Sequence, residues 1–243
     1  MQYFGGKFRI SKDLSNYFNT QVLKPNQTFV DLFCGSCNII SKIDNNRMLI
    51  ANDKHYYLIE MFKALQNGWI PPEFISEDQY KNIKLNSDLY PDYLVGFVGF
   101  GCSFAGKWWR GYCRSNVKRN YCLSAKKSLI YKMQTNLNYI EFKNLDYKDI
   151  KIPTNSIVYC DIPYNNSTSY CLKEVGKFNH LDFYTWVLDN KNNFTCYISE
   201  YKENILDKLS QFQKVWEKDS SKSVRNKSNK LDITTEVLIT PYL

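Results

Sequence analysis

The chain has 243 residues, of which 44% are hydrophobic and 23% charged, as expected for a globular protein with one sizeable core. No apolar run approaches the length of a bilayer span, and the first residues lack the apolar stretch of a secretory signal, so we expect a soluble cytosolic protein. A formal net charge of +8 suits a polyanionic partner without establishing one.

The cysteines are expected to be reduced thiols, because the chain shows no export signal. Cys34 and Cys37 form the only C-x-x-C pair, and a structural zinc site needs a second pair or two nearby histidines. His55 and His180 are the only histidines, so the spacing favours core thiols over zinc or redox chemistry. We therefore expect no metal.

The first part of the chain predicts an α/β unit. Residues 28–33 form a short apolar run before a turn at Gly35, which is typical of a buried strand. Residues 48–51 predict a second strand, and apolar side chains at helical spacing over 55–67 predict a helix that ends at Gly68. Strand, turn, strand and helix in this order indicate an open α/β sheet.

The middle of the chain, residues 68–139, has a different composition. Pro71-Pro72 and Pro91 interrupt it, and no acidic residue occurs between Asp92 and Glu141. The same interval interleaves lysines and arginines with aromatic side chains, which suits contact with phosphates. We interpret it as an inserted basic domain, irregular or helical; a solvated basic face is the alternative interpretation.

The α/β pattern returns after this stretch. Residues 156–160 predict a strand that runs into Asp161, and residues 193–199 predict another. Val215-Trp216 and residues 234–239 predict a terminal antiparallel pair. The two are joined by a polar and basic link over 220–230, which adds phosphate contacts or is simply a mobile loop.

The tetrapeptide Asp161-Ile162-Pro163-Tyr164 is the strongest chemical signal, because ligands of open α/β sheets bind beyond the carboxyl ends of strands. A carboxylate and a backbone carbonyl that accept both hydrogens of an adenine amine would turn its delocalised lone pair towards a methyl donor. Pro163 stiffens the turn, and Tyr164 offers a ring for stacking on the base. For the tetrapeptide alone, a turn in which Asp161 caps an amide is an equally good interpretation.

Two further segments suit a nucleoside-like ligand. Asp31 ends a strand before the Gly35 turn, and Asp53, after the next strand, is placed to accept hydrogen bonds from ribose hydroxyls. Gly5-Gly6-Lys7 could bend around a ligand and present an ammonium group, although it lacks the hydroxyl residue of a P-loop. Taken singly, an ordinary strand and turn and an unstructured N-terminus explain these segments better.

Together, Gly5-Gly6-Lys7, residues 29–35, Asp53 and the Asp161–Tyr164 tetrapeptide resemble the D12 class of DNA adenine methyltransferases. That family orders a G-G-K segment, a cofactor strand, a recognition insert and D-P-P-Y. Residues 97–110 and 197–201 are also similar to phage-encoded members. The resemblance implies an α/β, Rossmann-like S-adenosylmethionine-dependent methyltransferase fold. Residues 1–55 and 141–243 would form the methyltransferase domain, and 56–140 a mostly helical target-recognition domain.

The resemblance also implies roles for individual residues. Asp161, Ile162, Pro163 and Tyr164 would hold an adenine extruded from double-stranded DNA while its N6 amine is methylated. Asp53 would bind the ribose of S-adenosylmethionine and Asp146 would lie beside its adenine. The full set of expected cofactor contacts is Tyr3, Gly5, Gly6, Lys7, Asp31, Phe33, Cys34, Gly35, Asp53, Asp146 and Asp161. The expected DNA contacts are Lys107, Trp109, Arg110, Arg114, Lys118 and Arg119. Such a site-specific enzyme would work in the cytoplasm of a bacterial or phage-infected cell.

Two positions depart from the family pattern. Ile162 stands where the family has proline, and Cys37 stands where it usually has a second glycine. Ile162 still supplies a backbone carbonyl, and a similar N-I-P-Y occurs in rRNA adenine dimethyltransferases, whereas Cys37 crowds the cofactor turn. An RNA adenine N6-methyltransferase and a catalytically inactive nucleic-acid-binding relative therefore stay open as alternatives.

Overall fold

The computed structural model describes residues 1–116, 119–164, 178–204, 210–225 and 231–242. Over these residues its centre is a seven-stranded sheet with the order β3-β2-β1-β4-β5-β7-β6. The strands are β1 (Phe29–Asp31), β2 (Leu49–Asn52), β3 (Ile140–Lys143), β4 (Ile157–Cys160), β5 (Thr195–Tyr201), β6 (Phe212–Arg225) and β7 (Leu231–Pro241). Strands β1 to β5 are parallel, and β7 runs antiparallel to both of its neighbours.

The helices cover the sheet and fill the long connection between β2 and β3. They are α1 (Ser11–Tyr17), α2 (Tyr56–Gln66), α3 (Glu77–Leu85), α4 (Asp92–Gly101), α5 (Tyr121–Thr135) and α6 (His180–Asp189). Three of them begin at a side chain that accepts a hydrogen bond from an otherwise free amide of the first turn: Ser76 for α3, Asn120 for α5 and Asn179 for α6. Among the described residues, no helix is long and apolar enough to cross a bilayer.

The central strands are buried along their whole length. Every residue of β1, β2 and β4 is buried, which is usual for parallel strands covered on both faces. Successive side chains of a strand point to opposite faces, so Phe29 packs in the larger of two core clusters and Val30 in the smaller one. The larger cluster continues into the long connection, since it includes Leu58 of α2, Phe97 of α4 and Leu129 of α5.

The strand order and directions confirm the predicted Rossmann-like methyltransferase fold, with helices in the connection between β2 and β3. The predicted terminal antiparallel pair is confirmed as well, with Trp216 opposite Leu238. The sequence did not reveal β3, because this four-residue edge strand alternates buried residues with the more exposed Glu141 and Lys143. Its position next to β2 directs the loop that carries Asp146 towards the carboxyl edge of the sheet.

Candidate active site

Three acidic side chains lie where neighbouring parallel strands end. Asp31 is the last residue of β1, Asp53 follows β2 and Asp161 follows β4, and these three strands are adjacent in the sheet. Because parallel strands end at one edge, their carboxylates converge there. This is the edge at which open α/β sheets bind ligands.

Asp31 is a buried carboxylate with one unused oxygen. Its side chain is 2% exposed, and its Oδ1 has no hydrogen-bond partner among the described residues. Burial, and then the charge of Asp161, raise the pKa of Asp31 well above its usual value, against a hydrogen bond from the Ile40 amide. A buried acceptor without a donor costs about 1–3 kcal/mol. An acidic side chain kept in this state suits a ligand that brings its own donor.

The turn after β1 depends on left-handed backbone. Gly35 has a φ of 47°, and a Cβ at this position would lie 2.8 Å from Cε1 of Tyr3, so the missing side chain lets the Tyr3 ring rest on the turn. Cys37 has a φ of 55°, and its amide donates to the carbonyl of Cys34 over 2.7 Å. This conformation favours glycine, which explains why a second glycine suits the position where Cys37 stands.

Asp53 holds this turn together. Its Oδ2 accepts a hydrogen bond from the Gly35 amide at 3.0 Å, and its Oδ1 accepts one from the His55 amide at 2.9 Å. Burial raises the pKa of Asp53, and these two bonds oppose the rise. A carboxylate offers about four acceptor positions, so capacity for a ribose hydroxyl remains.

Asp146 lies in the loop after β3 beside a lysine. Its Oδ2 is 2.9 Å from Nζ of Lys54, and its Oδ1 accepts from the Lys148 amide at 3.2 Å. Burial disfavours the Asp146 carboxylate, but these two contacts outweigh burial and its pKa lies below the usual value. The side chain therefore stays an acceptor at neutral pH.

An aromatic wall stands at the end of β1, next to the acidic edge. The partly buried ring of Phe33 lies 5.9 Å from that of Tyr147 and 5.7 Å from that of Phe178, measured between centroids. Tyr147 directly follows Asp146, so a polar acceptor and flat apolar surfaces occur side by side. This combination suits a purine ring.

Buried Lys7 and partly buried Asp161 form an ion pair. Nζ of Lys7 lies 2.6 Å from Oδ1 of Asp161, and the two side chains are 6% and 19% exposed. The chain turns sharply before Lys7, since Gly5 has a φ of 79° and the Gly6 amide donates to the carbonyl of Tyr3 at 3.0 Å. Burial lowers the pKa of Lys7, but the carboxylates around it outweigh burial and raise it. Burial raises the pKa of Asp161 against the effect of Lys7.

Tyr164 lies beside this ion pair and is held by a hydrogen bond. Its hydroxyl donates to Oε2 of Glu236 over 2.8 Å, and Nζ of Lys7 lies 4.5 Å from its ring centroid. Of the other tetrapeptide members, Ile162 is 2% exposed and packs in the smaller core cluster, and the carbonyl of Pro163 lies 2.6 Å from Nε2 of His180. The side chain of Ile162 thus belongs to the core, whereas Asp161 and Tyr164 belong to the site.

Two buried glutamates on the neighbouring strands β5 and β7 were not predicted. Glu236 on β7 and Glu200 on β5 are 5% and 2% exposed. Burial raises the pKa of Glu200 to about 7, although its Oε1 accepts from the Tyr201 amide and from Nδ2 of Asn204, both at 2.8 Å. An acidic residue inside an apolar strand was the available signal for both.

A buried lysine of the long connection was also missed. Lys132 on α5 is 6% exposed, and its Nζ donates to the carbonyl of Ser36 and, over 2.8 Å, to Oδ1 of Asn38. Burial lowers its pKa to about 8. The helix α5 is thereby tied to the turn that follows β1.

The candidate DNA contacts are distributed over the region between β2 and α5. Nζ of Lys107 lies 3.6 Å above the ring of Phe4, and the Arg119 guanidinium lies 4.6 Å from the ring of Tyr121. Arg110 is exposed.

Two other candidates in this region have protein partners. Arg114 donates two hydrogen bonds of 3.0 Å to Glu77. The partly buried Trp109 packs its ring 5.1 Å from that of Tyr80, measured between centroids. Lys118 lies outside the described residues, as do Lys227 and Lys230 of the basic link.

Residues 3–95 match the model of the D12 class N6 adenine-specific DNA methyltransferase family. The matched segment includes Lys7, Asp31, Gly35 and Asp53 and ends before Asp161. The match is to a family of enzymes that transfer methyl groups.

Several solved structures are similar to the chain at low identity. A provisionally assigned RNA methyltransferase from Pyrococcus horikoshii has 8% identity and a TM-score of 0.46, covering 96% of this chain and 83% of that one. A provisionally assigned methylase from Haemophilus influenzae has 14% identity and a TM-score of 0.37, covering 97% of this chain and 98% of that one. An rRNA methylase, also provisionally assigned, from Clostridium thermocellum has 11% identity and a TM-score of 0.39, covering 95% and 96%.

Proposed function

We propose that this protein transfers a methyl group from S-adenosylmethionine to the N6 amine of an adenine flipped out of double-stranded DNA. The observation that carries the proposal is the contact of buried Lys7 with the partly buried Asp161 and Tyr164, beside the Asp31–Asp53 edge. The family match over residues 3–95 supports adenine as the target and DNA as the substrate. The tetrapeptide at the end of β4 supplies the part of the site that the match does not include.

The residues at the carboxyl ends of β1, β2 and β3 fit S-adenosylmethionine. The unpartnered Oδ1 of Asp31 would accept from the ammonium group of the methionine part. Asp53 would accept from the ribose, and Asp146 with the ring of Phe33 would hold the purine. When bound, S-adenosylmethionine supplies a methyl group on a positively charged sulfur, and no metal is needed.

Asp161 acts on the amine of the target base. Its carboxylate accepts one amine hydrogen and the carbonyl of Ile162 accepts the other, which turns the nitrogen lone pair away from the ring. The same acceptors stabilise the positive charge that develops on the nitrogen. Lys7 keeps the partly buried Asp161 ionised and fixes the direction of its carboxylate. Tyr164 provides the stacking face, as base-flipping enzymes require for an unstacked base.

The long connection between β2 and β3 is proposed as the target-recognition domain, residues 56–140, inserted in a methyltransferase domain of 1–55 and 141–243. Its acid-free segment supplies cations for the DNA backbone, with Arg110 exposed and Lys107 close to the N-terminal segment that carries Lys7. Tyr80 holds Trp109 in place there, and Glu77 holds Arg114.

Methyl incorporation from labelled S-adenosylmethionine into unmethylated duplex DNA, followed by nucleoside analysis, tests the proposal. We expect the label in N6-methyladenine, and we expect Asp161→Ala to abolish turnover while the circular dichroism spectrum is retained. Unchanged turnover in that variant would rule out the role of Asp161. Sequencing of the methylated DNA gives the target site.

One observation favours a second candidate function. Ile162 makes the tetrapeptide similar to the N-I-P-Y of rRNA adenine dimethyltransferases, so RNA is the alternative substrate. The same labelled assay with RNA separates the two: label in RNA and none in DNA establishes the alternative. Cofactor binding without transfer to either polymer establishes an inactive nucleic-acid-binding protein.

A further inference from the structure

Glu236 contacts both groups that flank the Asp161 carboxylate. Its Oε2 accepts the hydrogen bond from the Tyr164 hydroxyl at 2.8 Å, and its Oε1 lies 3.9 Å from Nζ of Lys7. It lies on β7 directly opposite Tyr201 of β5, whose ring is 4.3 Å from that of Tyr164. One carboxylate on β7 thus contacts both the stacking ring and the ammonium group.

Burial of the Glu236 carboxylate costs free energy of desolvation. Glu236 is 5% exposed, and the residues that follow it, Val237, Leu238 and Ile239, are apolar and buried. Burial raises its pKa, and Lys7 opposes the rise. A position that served packing alone would be filled at lower cost by an apolar residue. Glu236 contacts Lys7 of the G-G-K segment and Tyr164 of the tetrapeptide, and both belong to the candidate site.

We infer that Glu236 is a positioning residue for methyl transfer, which fixes the Tyr164 ring through its hydroxyl and shares the charge of Lys7 with Asp161. It acts through these two residues and touches neither the base nor the donor. The inference rests on the proposed function, since it assigns Glu236 to the same site.

Three substitutions separate the contact with Tyr164 from the contact with Lys7. Glu236→Gln keeps an acceptor for the Tyr164 hydroxyl but removes the negative charge. Lys7 then pairs with Asp161 alone, and the Asp161 carboxylate becomes a weaker acceptor for the adenine amine. Glu236→Met removes both contacts with a side chain of similar length. Tyr164→Phe removes the hydroxyl and keeps the stacking ring. Glu217→Gln on β6 is the matched control, because Glu217 is exposed and pairs with Lys202 and Lys214 only on the surface.

The test measures kcat, KM for DNA and the dissociation constant of S-adenosylmethionine for these variants. A hydrogen bond to a charged group contributes about 1.5–3 kcal/mol, so we expect kcat to fall about 10- to 100-fold in Glu236→Met and less in Glu236→Gln. The dissociation constant of S-adenosylmethionine should not change. A general loss of structure would weaken cofactor binding as well, so this measurement separates the two causes. Tyr164→Phe should cost much less in the Glu236→Met background than in the wild type, because the two residues share one contact.

A second measurement does not depend on turnover. The same Tyr164→Phe and Glu236→Met cycle, followed by urea unfolding, should show coupling if the hydrogen bond exists in solution. An active wild-type protein whose Glu236 variants match Glu217→Gln in kcat would overturn the inference. A wild-type protein that methylates no adenine, yet shows the coupling in unfolding, would overturn the proposed function and confine Glu236 to stabilising the fold.

Discussion

Nζ of Lys7 and Oδ1 of Asp161 lie 2.6 Å apart in the interior, although Lys7 precedes the first helix and Asp161 follows the fourth strand. Glu236 lies at a longer distance, 3.9 Å from the same Nζ. The pair therefore joins the beginning of the chain to the carboxyl edge of the sheet. Removal of either member leaves the other charge buried with a weaker partner or none.

Lys7→Met should destabilise the protein strongly, by about 3–5 kcal/mol at neutral pH, because it leaves the Asp161 carboxylate unpaired. The pKa of Asp161, already raised by burial, should rise further in this variant. The folded variant then holds a proton that the unfolded chain releases, so its stability should recover as the pH is lowered. Urea unfolding at neutral and acidic pH checks this, and Lys7→Met with Asp161→Asn should recover most of the loss at neutral pH. Equal destabilisation at both pH values would contradict the pairing.

Glu200 should make the fold less stable as the pH rises towards neutrality. Its pKa is raised from 4.5 to about 7 by burial, so the folded state binds a proton that the unfolded chain releases between these values. The contribution of this group to stability is complete below pH 4.5 and is lost as the pH rises through about 7. Glu200→Gln should remove up to about 3 kcal/mol of this dependence. Unfolding midpoints across this pH range provide the measurement, and curves of identical slope for both proteins would refute it.

At position 37 we expect a glycine variant to be more stable than an alanine variant, which is the reverse of the usual order. Because its φ is 55°, Cys37→Gly relieves the left-handed backbone, whereas Cys37→Ala keeps the strain and loses the sulfur. Both substitutions lose packing, but we expect the glycine variant to be more stable than the alanine variant by about 1 kcal/mol. Cys34, whose φ is not positive, is the control position, where alanine should be the more stable of the two. Thermal unfolding of the four variants decides the matter; an alanine preference at both positions would speak against the turn geometry.

Lys132→Met should weaken S-adenosylmethionine binding by about tenfold, since hydrogen bonds from a charged group are worth about 1.5–3 kcal/mol and only part of this reaches the ligand. The buried ammonium group holds the carbonyl of Ser36 and the side chain of Asn38 in the turn after β1. Lys127→Met on the same helix is the control, because Lys127 is exposed. Titration calorimetry compares the two, and equal affinities would show that the turn does not need Lys132.

The sequence predicted those parts of the molecule that depend on local patterns. Apolar runs located β1, β2, β4 and β5, and the end of such a run placed Asp31 and Asp161 at the carboxyl edge of the sheet. Helical spacing located α2, and the left-handed Gly35 turn followed from the residue type. These local patterns indicated an open α/β sheet, and the resemblance to the family implied the Rossmann-like methyltransferase fold.

The sequence could not show which distant side chains meet. Nothing local indicates that Lys132 reaches Asn38, or that Glu236 accepts the hydroxyl of Tyr164, because these contacts depend on how separate elements pack. Taken alone, the Gly5-Gly6-Lys7 segment fitted an unstructured N-terminus for the same reason. Its position is set from outside, since the Phe4 amide donates to the carbonyl of Gly106 in the long connection over 3.2 Å.

The larger core cluster runs without interruption from Phe29 of the sheet to Phe97 and Leu129 of the long connection. A segment that shares its interior with the sheet is not a removable cassette. Grafting residues 56–140 from a relative in order to change the DNA target would also replace Lys132 and half of a packed interior. New specificities are therefore expected to arise by substitutions on the exposed surface of the connection, and chimaeras made by wholesale exchange should aggregate or lose donor binding before any new target can be read.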